Sequence, residues 1–284
     1  MEMGPSKTYC IIGDPIGHSL SPGMQNAAFS ALNLNCTYIS FRVPVPELKE
    51  SIESLRAINI AGFNVTIPHK VAVMKYLDEL DATANKAGAV NTVNNIEGTL
   101  KGYNTDIAGF IAPLRRRKFD FGDKTATILL LGAGGAARAV IAALSEERTD
   151  CKVVIANRDQ AKAKELARTA SDLGLLCETI SLEDAPKASP DAGLIVNATS
   201  IGLGDEPSPI DSDHIKKGSI VYDIVYRPVV TDLLEQAKFA EAHVVYGYEM
   251  LLEQGAKAFE IWTGLPAPRD IMKKNLLGIF GEPT

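Results

Sequence analysis

Apolar runs and helical patterns alternate along the second half of the chain. Residues 126–131 (ATILLL) lead into the glycine turn GAGG, which is followed by the helical pattern AARAVIAAL and a second apolar run, KVVIA, at 152–156. Two further runs, LIVNAT at 194–199 and SIVYDIV at 219–225, have the continuous hydrophobicity of strands that are covered on both faces. This order predicts a doubly wound α/β domain around a parallel sheet.

The first third of the chain also mixes strand and helix patterns. The runs YCIIGD, CTYISFRV and GFNVTIP predict strands, whereas PGMQNAAFSALN and PELKESIESLRA predict helices. A last amphipathic pattern at 248–262 follows the strand-like run AHVVYG, and we predict that it returns to the first domain. The predicted fold class is therefore α/β with two α/β domains. Residues 1–106 and 247–284 form a substrate-binding domain, and residues 107–246 form a Rossmann-type nucleotide-binding domain.

The composition places the chain among globular proteins. Its 284 residues exceed the usual size of a single core, 46% of them are apolar and 23% are charged. The net charge of −6 disfavours a nucleic-acid partner, because such partners require a basic surface. We interpret the one basic run, residues 115–118, as a solvated helix end near the domain boundary.

The cysteines indicate neither a metal site nor a disulfide framework. Cys10, Cys36, Cys151 and Cys177 are far apart and form no CxxC pair, so we expect a reducing compartment and no bound metal. The N-terminus lacks the apolar segment of a signal peptide, and the most apolar tract is interrupted by glycines and Arg138. The sequence therefore predicts a soluble, cytoplasmic protein with no membrane partner.

The glycine turn after residues 126–131 predicts a nucleotide site. Gly132, Gly134 and Ala137 fit GxGxxA, the pattern that gives a tight turn, a close approach of a pyrophosphate and close packing of the following helix. A purely structural glycine turn is the alternative, but the flanking strand and helix favour nucleotide binding. The predicted cofactor-binding residues of this turn are Gly132, Ala133, Gly134, Gly135, Ala136 and Ala137.

The end of the next strand indicates which nucleotide is bound. Asn157 and Arg158 stand where an NAD enzyme often has a carboxylate for the ribose, and an arginine suits the 2′-phosphate of NADP. Lys162, about one helical turn later, adds a second cation. Asp159 has the opposite effect, since it either repels the phosphate or pairs with Arg158. The expected cofactor is NADP, with NAD as a weaker alternative.

Polar side chains in the first domain predict a site for a hydroxylated small molecule. The segment NVTIPHK places Asn64, Thr66 and Lys70 on one parity of its polar and apolar alternation. The stretches GDPIGHSLSP, AGAVNT and GYNTD share its amides and hydroxyls, and GYNTD adds a carboxylate. Such a combination offers a substrate several donors and acceptors around one charged pair.

A predicted hairpin brings the carboxylate towards the lysine. The turn signal at 97–98 predicts a hairpin in which the numbers of facing residues sum to 195. Asn91 then lies opposite Asn104, with Asp106 just beyond, where it can meet Lys70. A lysine beside an aspartate is either a surface ion pair or a proton-transfer pair, and the surrounding amides and hydroxyls favour proton transfer.

Two serines near the N-terminus form a further candidate site. Ser19 and Ser21 lie in HSLSP, where Pro22 is placed to start a helix. Their hydroxyls and the helix N–H groups can receive a carboxylate. Helix capping is the alternative for each serine taken alone.

Taken in chain order, these segments resemble the shikimate dehydrogenase family. The segments are GDPIGHSLSP, NVTIPHK, AGAVNT, GYNTD, GAGGAARA, NR, NATSIG, DIVYRPVVTDLL and EMLLEQGAKAFEIW, and they span nearly the whole chain. The resemblance implies reversible NADPH-dependent reduction of 3-dehydroshikimate to shikimate, without a metal. That reaction belongs to the pathway to chorismate and the aromatic amino acids.

The resemblance also implies roles for individual residues. Lys70 and Asp106 are the implied catalytic pair, which exchanges a proton with the substrate as one unit. The implied substrate-binding residues are Ser19, Ser21, Asn64, Thr66, Lys70, Asn91, Asp106, Tyr226 and Gln254. The implied cofactor-binding residues beyond the glycine turn are Asn157, Arg158, Lys162, Thr199, Ile224 and Gly247. Tyr226 is alternatively a core aromatic, and Gln254 is alternatively a helix-packing amide.

Several alternatives stay open. The family commonly has NRT where this chain has Asn157-Arg158-Asp159, which leaves dual use of NAD and NADP open. A quinate or quinate/shikimate dehydrogenase shares nearly all of these residues. A non-catalytic sensor of nucleotide and metabolite is less favoured, since Lys70 and Asp106 are both present. Another Rossmann dehydrogenase would leave the first-domain motifs unexplained, and the oligomeric state, with a homodimer among the options, is not fixed by the sequence.

Overall fold

The computed structural model describes residues 6–204 and 206–280. These residues form two compact units. The first unit comprises the chain up to Gly109 and from Leu252 onwards, and the second unit comprises Phe110–Leu251. Each unit contains a six-stranded sheet, and the predicted α/β fold class with two sheets is confirmed.

The elements are named in chain order. The strands are β1 (Lys7–Gly13), β2 (Cys36–Arg42), β3 (Gly62–Val65), β4 (Glu79–Leu80), β5 (Thr92–Ile96), β6 (Thr99–Tyr103), β7 (Thr127–Leu131), β8 (Lys152–Asn157), β9 (Cys177–Ser181), β10 (Ala192–Asn197), β11 (Ile220–Asp223) and β12 (His243–Val245). The helices are α1 (Ser21–Ala31), α2 (Leu48–Ala57), α3 (Ala82–Ala87), α4 (Asp106–Arg116), α5 (Gly135–Glu146), α6 (Gln160–Asp172), α7 (Ala185–Ala188), α8 (Asp232–Phe239), α9 (Gly247–Thr263) and α10 (Arg269–Phe280).

The sheet of the first unit is mixed. Its strand order is β2-β1-β3-β5-β6-β4, with β1 parallel to β2 and β3, and β5 antiparallel to β3 and β6. The β5–β6 hairpin pairs Thr92 with Tyr103, which is the predicted register. Its turn residues Glu97 and Gly98 have φ of 52° and 90°, as a two-residue hairpin turn requires. The open end of the hairpin, and the chain that follows it, therefore lie where the sequence predicts a site.

Helix α9 packs on this sheet, so the predicted return of the last helices to the first unit is confirmed. The Trp262 indole Nε1–H donates to the Val93 carbonyl at 3.0 Å, and the indole stacks on the Tyr9 ring with centroids 4.9 Å apart. Gly62 makes this approach possible, because a Cβ built on Gly62 would lie 2.4 Å from Trp262 Nε1. A glycine on β3 thus fixes where α9 can lie within the first unit.

The sheet of the second unit is parallel throughout. Its order is β12-β11-β10-β7-β8-β9, and with β7 taken as the first strand this is the Rossmann order, which reverses between β7 and β10. The central strand β7 is apolar and buried from Ile128 to Leu131, as expected for a sheet that is covered on both faces. This topology puts the ligand site at the carboxyl ends of β7 and β10.

The strand predicted for residues 62–68 is too long. The strand ends at Val65, because Pro68 has no N–H with which to continue a ladder. Ile67 is 70% exposed and lies outside the core. The polar and apolar alternation of this segment therefore reflects a strand only in its first half.

The basic run ends helix α4 as predicted, but it is not simply solvated. Arg115 pairs with Glu147, and Arg117 Nη2 lies 2.7 Å from Glu249 Oε1. Arg117 also donates to the Val244 carbonyl at 2.8 Å. These contacts anchor the end of α4 within the second unit, which is a structural role that the sequence pattern did not indicate.

In the part of the chain that the structure describes, no helix is long and apolar enough to cross a membrane. Among the same residues, no group of three or more His, Cys, Asp and Glu could hold a metal ion. The four cysteines are free, and burial raises the pKa of the Cys10 thiol to about 12.

The close contact at Gly62 gives a stability prediction. Gly62→Ala should lower the free energy of unfolding by about 1–3 kcal/mol, because the added methyl overlaps the Trp262 indole. Gly278→Ala on α10 is the matched control, since a Cβ there meets no atom within 4 Å, and it should raise stability by up to about 1 kcal/mol. Urea unfolding followed by the fluorescence of Trp262, the one tryptophan, reads both variants in the first unit. Equal effects of the two substitutions would contradict the steric argument.

Candidate active site

An ion pair lies at the centre of the polar residues of the first unit. Lys70 follows β3, and Asp106 is the first residue of α4. Lys70 Nζ lies 2.6 Å from Asp106 Oδ2, and the two side chains are only 17% and 7% exposed. The N-terminal end of α4 also favours a negative charge at this position. The two residues predicted as a catalytic pair are therefore in direct contact and sheltered from solvent.

Asn91 holds the other oxygen of the carboxylate. Its Nδ2 donates to Asp106 Oδ1 at 2.8 Å and to Thr105 Oγ1 at 2.9 Å. Its Oδ1 accepts the backbone N–H of Thr105 at 2.7 Å. Gln254 on α9 is also near, with Oε1 3.4 Å from Asn91 Nδ2. Four of the predicted residues, Lys70, Asn91, Asp106 and Gln254, thus meet in one place.

Asn64 is fixed by three hydrogen-bond partners, which are Tyr38 on β2, Asn91 just before β5 and Thr92 on β5. Its Nδ2 donates to the Asn91 carbonyl at 3.0 Å and to Thr92 Oγ1 at 2.9 Å, while its Oδ1 accepts the Tyr38 hydroxyl at 2.6 Å. Both amide protons are therefore in use. Asn64 can offer a substrate only a further lone pair of Oδ1, so it can accept a hydrogen bond but cannot donate one.

Sequence reasoning missed Tyr38 and Thr92. Both are buried, at 1% and 0% exposure. Burial raises the pKa of Tyr38 well above its usual value, while the Ser21 hydroxyl acts in the opposite direction. Thr92 follows Asn91 in AGAVNT, and that adjacency was a usable signal. Nothing in CTYISFRV distinguishes Tyr38 from an ordinary core aromatic.

The two predicted serines lie at the start of α1. Ser21 is buried and begins the helix, and its backbone N–H lies 3.3 Å from the Ser19 hydroxyl oxygen. The N-cap residue Leu20 supplies no side-chain cap. Ser19 therefore acts partly as a cap, as the alternative held, but as an acceptor it keeps its own hydroxyl proton for another partner.

Thr66 is half-buried just beyond β3. Its backbone N–H donates to the Ile12 carbonyl at 2.9 Å. Among the residues that the structure describes, its hydroxyl makes no hydrogen bond. A Cβ on Gly13 would lie 2.4 Å from Thr66 Cγ2, so the glycine of GDPIGH is needed for this packing. The packing therefore fixes the Thr66 side chain and leaves its hydroxyl available for a hydrogen bond.

The predicted nucleotide turn lies in the second unit, between β7 and α5. Gly132 has φ of 107°, and a Cβ there would lie 2.9 Å from the Ala198 carbonyl oxygen, so both conformation and space require glycine. Gly134 is the N-cap of α5 and supplies no side-chain cap. A Cβ on Gly134 would meet nothing within 4 Å, and Ala137 is buried. The first N–H groups of α5 are therefore open to an anion, which fits the pyrophosphate of a dinucleotide. Gly135 and Ala136 open the same helix.

The cations predicted for a 2′-phosphate follow β8, with Arg158 directly after the strand and Lys162 in the first turn of α6. Arg158 pairs with Glu206 at 3.2 Å in an exposed contact. Among the described residues Asp159 does not pair with Arg158, but its Oδ2 lies 3.7 Å from Lys162 Nζ in an exposed ion pair. Its Oδ1 instead accepts the N–H groups of Ala161 and Lys162 at 3.0 and 3.1 Å as the N-cap of α6, and the bond from Lys162 N–H leads the lowering of the Asp159 pKa. Asn157 Nδ2 donates to the Asp159 carbonyl at 2.8 Å. The donor set fits NADP.

A buried carboxyl ties together the segments after β10 and β11. Asp223 Oδ1 accepts Asn197 Nδ2 and the Val225 N–H, both at 2.9 Å, and its Oδ2 accepts the Thr231 hydroxyl at 2.6 Å. Asn197 Oδ1 in turn accepts the Thr199 hydroxyl at 2.6 Å. Burial raises the pKa of Asp223 to about 6. This network fixes the segments that carry the predicted residues Thr199 and Ile224, and no sequence motif indicates it.

Two further predicted residues lie in the same part of the second unit. Tyr226 is half-buried, and burial raises the pKa of its hydroxyl. Gly247 begins α9, where a Cβ would lie 2.3 Å from the Val225 carbonyl oxygen and 2.6 Å from that of Ile224. The glycine is therefore required by backbone packing, whatever it contributes to a cofactor.

Comparisons with known proteins cover nearly the whole chain. Three domain-family models match: the shikimate dehydrogenase substrate binding domain over residues 11–93, shikimate / quinate 5-dehydrogenase over 114–203, and the shikimate 5'-dehydrogenase C-terminal domain over 247–277. The shikimate dehydrogenase (NADP(+)) of Nitrosopumilus maritimus is 50% identical over 274 residues, which is 96% of this chain and 99% of that protein.

Solved structures are also similar. The crystal structure of a shikimate dehydrogenase in complex with NADP+ is 38% identical, with a TM-score of 0.89 over 97% of this chain and 96% of that one. The shikimate 5-dehydrogenase of Listeria monocytogenes in complex with shikimate and NAD is 35% identical, with a TM-score of 0.87 over 95% and 96% of the two chains.

The raised pKa of Asp223 predicts a pH-dependent stability. Between the usual pKa of 3.8 and the folded value of about 6, the folded carboxyl is protonated and the unfolded one is ionised. The unfolded state then binds fewer protons, so this group lowers the free energy of unfolding as pH rises through that window. Above this pH window, the raised pKa of Asp223 lowers the free energy of unfolding by about 3 kcal/mol in total.

Asp223→Asn should remove this slope, because the amide stays neutral and keeps an acceptor for Asn197. The stability of the variant relative to wild type should rise as pH increases from about 4 to about 7. Urea midpoints followed by circular dichroism measure it, with the exposed Asp211→Asn as control. A difference between Asp223→Asn and wild type that does not vary with pH would contradict the assignment.

Proposed function

The chain belongs to the shikimate dehydrogenase family and is an NADP-dependent oxidoreductase, and from this premise we propose that Lys70 and Asp106 are its proton-transferring pair. The reaction is the reversible reduction of 3-dehydroshikimate to shikimate, a step of aromatic amino acid biosynthesis. The observation that carries the proposal is the sheltered contact of 2.6 Å between Lys70 Nζ and Asp106 Oδ2. A surface ion pair of no function would not need the surrounding amides.

The chemistry of the pair follows from its geometry. NADPH, when bound, supplies the hydride that reduces the substrate carbonyl. Lys70 has three N–H donors and uses one for Asp106, so it can donate another to the carbonyl oxygen as negative charge develops there. Asp106 orients the ammonium and is itself held by Asn91. In the oxidation direction the same pair accepts the proton of the substrate hydroxyl.

The remaining polar residues bind the substrate in this proposal. Ser19 and Ser21, with the N-terminus of α1, receive the carboxylate of the ring. Thr66 donates to a hydroxyl or accepts from one, whereas Asn64 only accepts. Gln254 and, by resemblance, Tyr226 complete the set.

We propose that the second unit holds NADP through three groups of residues. The first N–H groups of α5, after Gly132 and Gly134, bind the pyrophosphate. Arg158 and Lys162 bind the 2′-phosphate, since guanidinium and ammonium groups form charge-assisted bonds to phosphate oxygens. The other expected contacts are Ala133, Gly135, Ala136, Ala137, Asn157, Thr199, Ile224 and Gly247.

The geometry bears on the choice of nucleotide more than on the choice of substrate. Use of NAD stays the weaker alternative, because the Asp159 carboxylate is bound to the start of α6 and leaves Arg158 to other partners. Activity on quinate stays open, since it depends on the space around one ring carbon. A homodimer and a cytoplasmic location remain predictions.

The catalytic role of Lys70 can be tested by substitution. Lys70→Ala should lower kcat for shikimate oxidation by about 100- to 10,000-fold with a much smaller change in KM, because the proton transfer is made in the transition state. Lys75→Ala, at an exposed position in the same segment, should leave kcat unchanged. Initial rates are read from the absorbance of the reduced cofactor, with shikimate or quinate as substrate. Near-normal turnover of Lys70→Ala would return this pair to a structural role.

The NADP site can be tested independently. Arg158→Ala should raise KM for NADP by about 10- to 100-fold and leave KM for NAD nearly unchanged, because only NADP carries the 2′-phosphate. Arg168→Ala, at an exposed position on α6, is the control and should change neither constant. An equal loss with both nucleotides would place Arg158 elsewhere in the site.

A further inference from the structure

We propose that Thr92 is a positioning residue for the catalytic pair, acting through a directed chain of hydrogen bonds. The inference rests on the proposed function and names a residue that ends the motif AGAVNT but has no role among the expected catalytic, substrate or cofactor contacts. Thr92 is the first residue of β5 and is 0% exposed. A side chain buried to this degree does not contact substrate itself.

The Thr92 hydroxyl is the junction between two strands of the site. It accepts Asn64 Nδ2 from β3 at 2.9 Å, and it lies 3.1 Å from both Asn91 Oδ1 and Thr105 Oγ1. The Thr105 hydroxyl also donates to Asn91 Oδ1 at 3.2 Å, so donation from Thr92 reaches Asn91 Oδ1 either directly or through Thr105. Asn91 Nδ2 continues to Asp106 Oδ1 at 2.8 Å. Thr92 therefore joins the residue that accepts from substrate to the residue that holds the catalytic carboxylate.

The bonds of this chain all point the same way. The Asn91 carbonyl accepts Asn64 Nδ2 at 3.0 Å, which fixes the orientation of the Asn64 amide and leaves its Oδ1 as the acceptor of the Tyr38 hydroxyl. Donation then runs from Tyr38 to Asn64, Thr92, Asn91 and finally Asp106. Hydrogen bonds in series polarise one another, so each donor strengthens the next bond towards the carboxylate.

Loss of the hydroxyl has unequal effects on Asn91 and Asn64. Asn91 Oδ1 keeps the backbone N–H of Thr105 at 2.7 Å as a donor. Asn64 Nδ2 keeps the Asn91 carbonyl as an acceptor, but among the described residues its second proton has no other hydrogen-bond acceptor once the Thr92 hydroxyl is lost. Both consequences act on the site: Asn64 loses its fixed position, and Asn91 holds Asp106 less firmly.

The test uses two substitutions that separate the hydroxyl from the methyl group. Thr92→Val keeps the shape and removes the hydroxyl, and it should lower kcat/KM for shikimate by about 10- to 100-fold, through both kcat and KM. KM for NADP should not change. Thr92→Ser keeps the hydroxyl and removes a buried methyl, so it should keep kcat within about threefold of wild type while lowering thermal stability.

This crossed pattern is not expected of a merely structural residue, because activity and stability would then fall together. Thr8→Val is the matched control, since Thr8 is a half-buried threonine of β1 in the same sheet and should show unchanged kinetics. As a second readout, Thr92→Val should add little to the loss in kcat/KM that Asn64→Ala already causes, because both break the same chain.

Two outcomes would overturn the inference: Thr92→Val with wild-type kinetics, or Thr92→Ser with the same kinetic loss as Thr92→Val. Inactivity of the folded wild-type protein on shikimate would instead refute the proposed function. Circular dichroism of each variant distinguishes loss of the fold from loss of the chain of hydrogen bonds.

Discussion

The ion pair between Lys70 and Asp106 sets a requirement that much of the first unit meets. Withdrawing two charges from water costs free energy, which is offset when further hydrogen bonds hold the carboxylate. Lys70 satisfies one carboxylate oxygen and Asn91 the other. Asn91 is in turn held by the Thr105 backbone and by the Thr92 hydroxyl. The order of the strands provides these partners, because β3 and the β5–β6 hairpin are neighbours in the sheet.

The second unit meets a different constraint. Its backbone segments must approach one another closely, whereas the first unit must compensate a pair of charges. Gly132 brings the turn after β7 against the Ala198 carbonyl, and Gly247 brings the start of α9 against Ile224 and Val225. With both approaches fixed, Asp223 ties the segments after β10 and β11 to each other. Its carboxyl accepts three hydrogen bonds, and ionising it still costs free energy because it is buried. A rigid arrangement of these segments is obtained at the expense of stability near neutral pH.

The sequence predicted most of the fold, because periodicity and turn chemistry act locally. The hairpin register followed from the Glu97-Gly98 turn, and the Rossmann unit followed from the glycine turn between two apolar strands. The residues that were missed act through long-range pairing. Tyr38 lies 26 positions from Asn64 and Asp223 lies 26 positions from Asn197, and neither partner marks the other in the sequence. The pairing of Arg117 in the basic run was missed for the same reason, since its partner Glu249 comes 132 positions later.

Asp159 shows why a count of charges is a poor guide to a binding site. A carboxylate next to Arg158 is expected to disfavour a phosphate there. The direction in which the Asp159 carboxylate points, however, matters more than its distance from Arg158. As the N-cap of α6 it accepts two backbone N–H groups through Oδ1 and pairs with Lys162 through Oδ2, so its negative charge is directed to the start of that helix and not to Arg158. Arg158 is left with an exposed pair to Glu206, and exposed pairs contribute little free energy. The arginine can therefore exchange that partner for a phosphate at small cost, and a residue that weakens the case for NADP in the sequence is compatible with it in the fold.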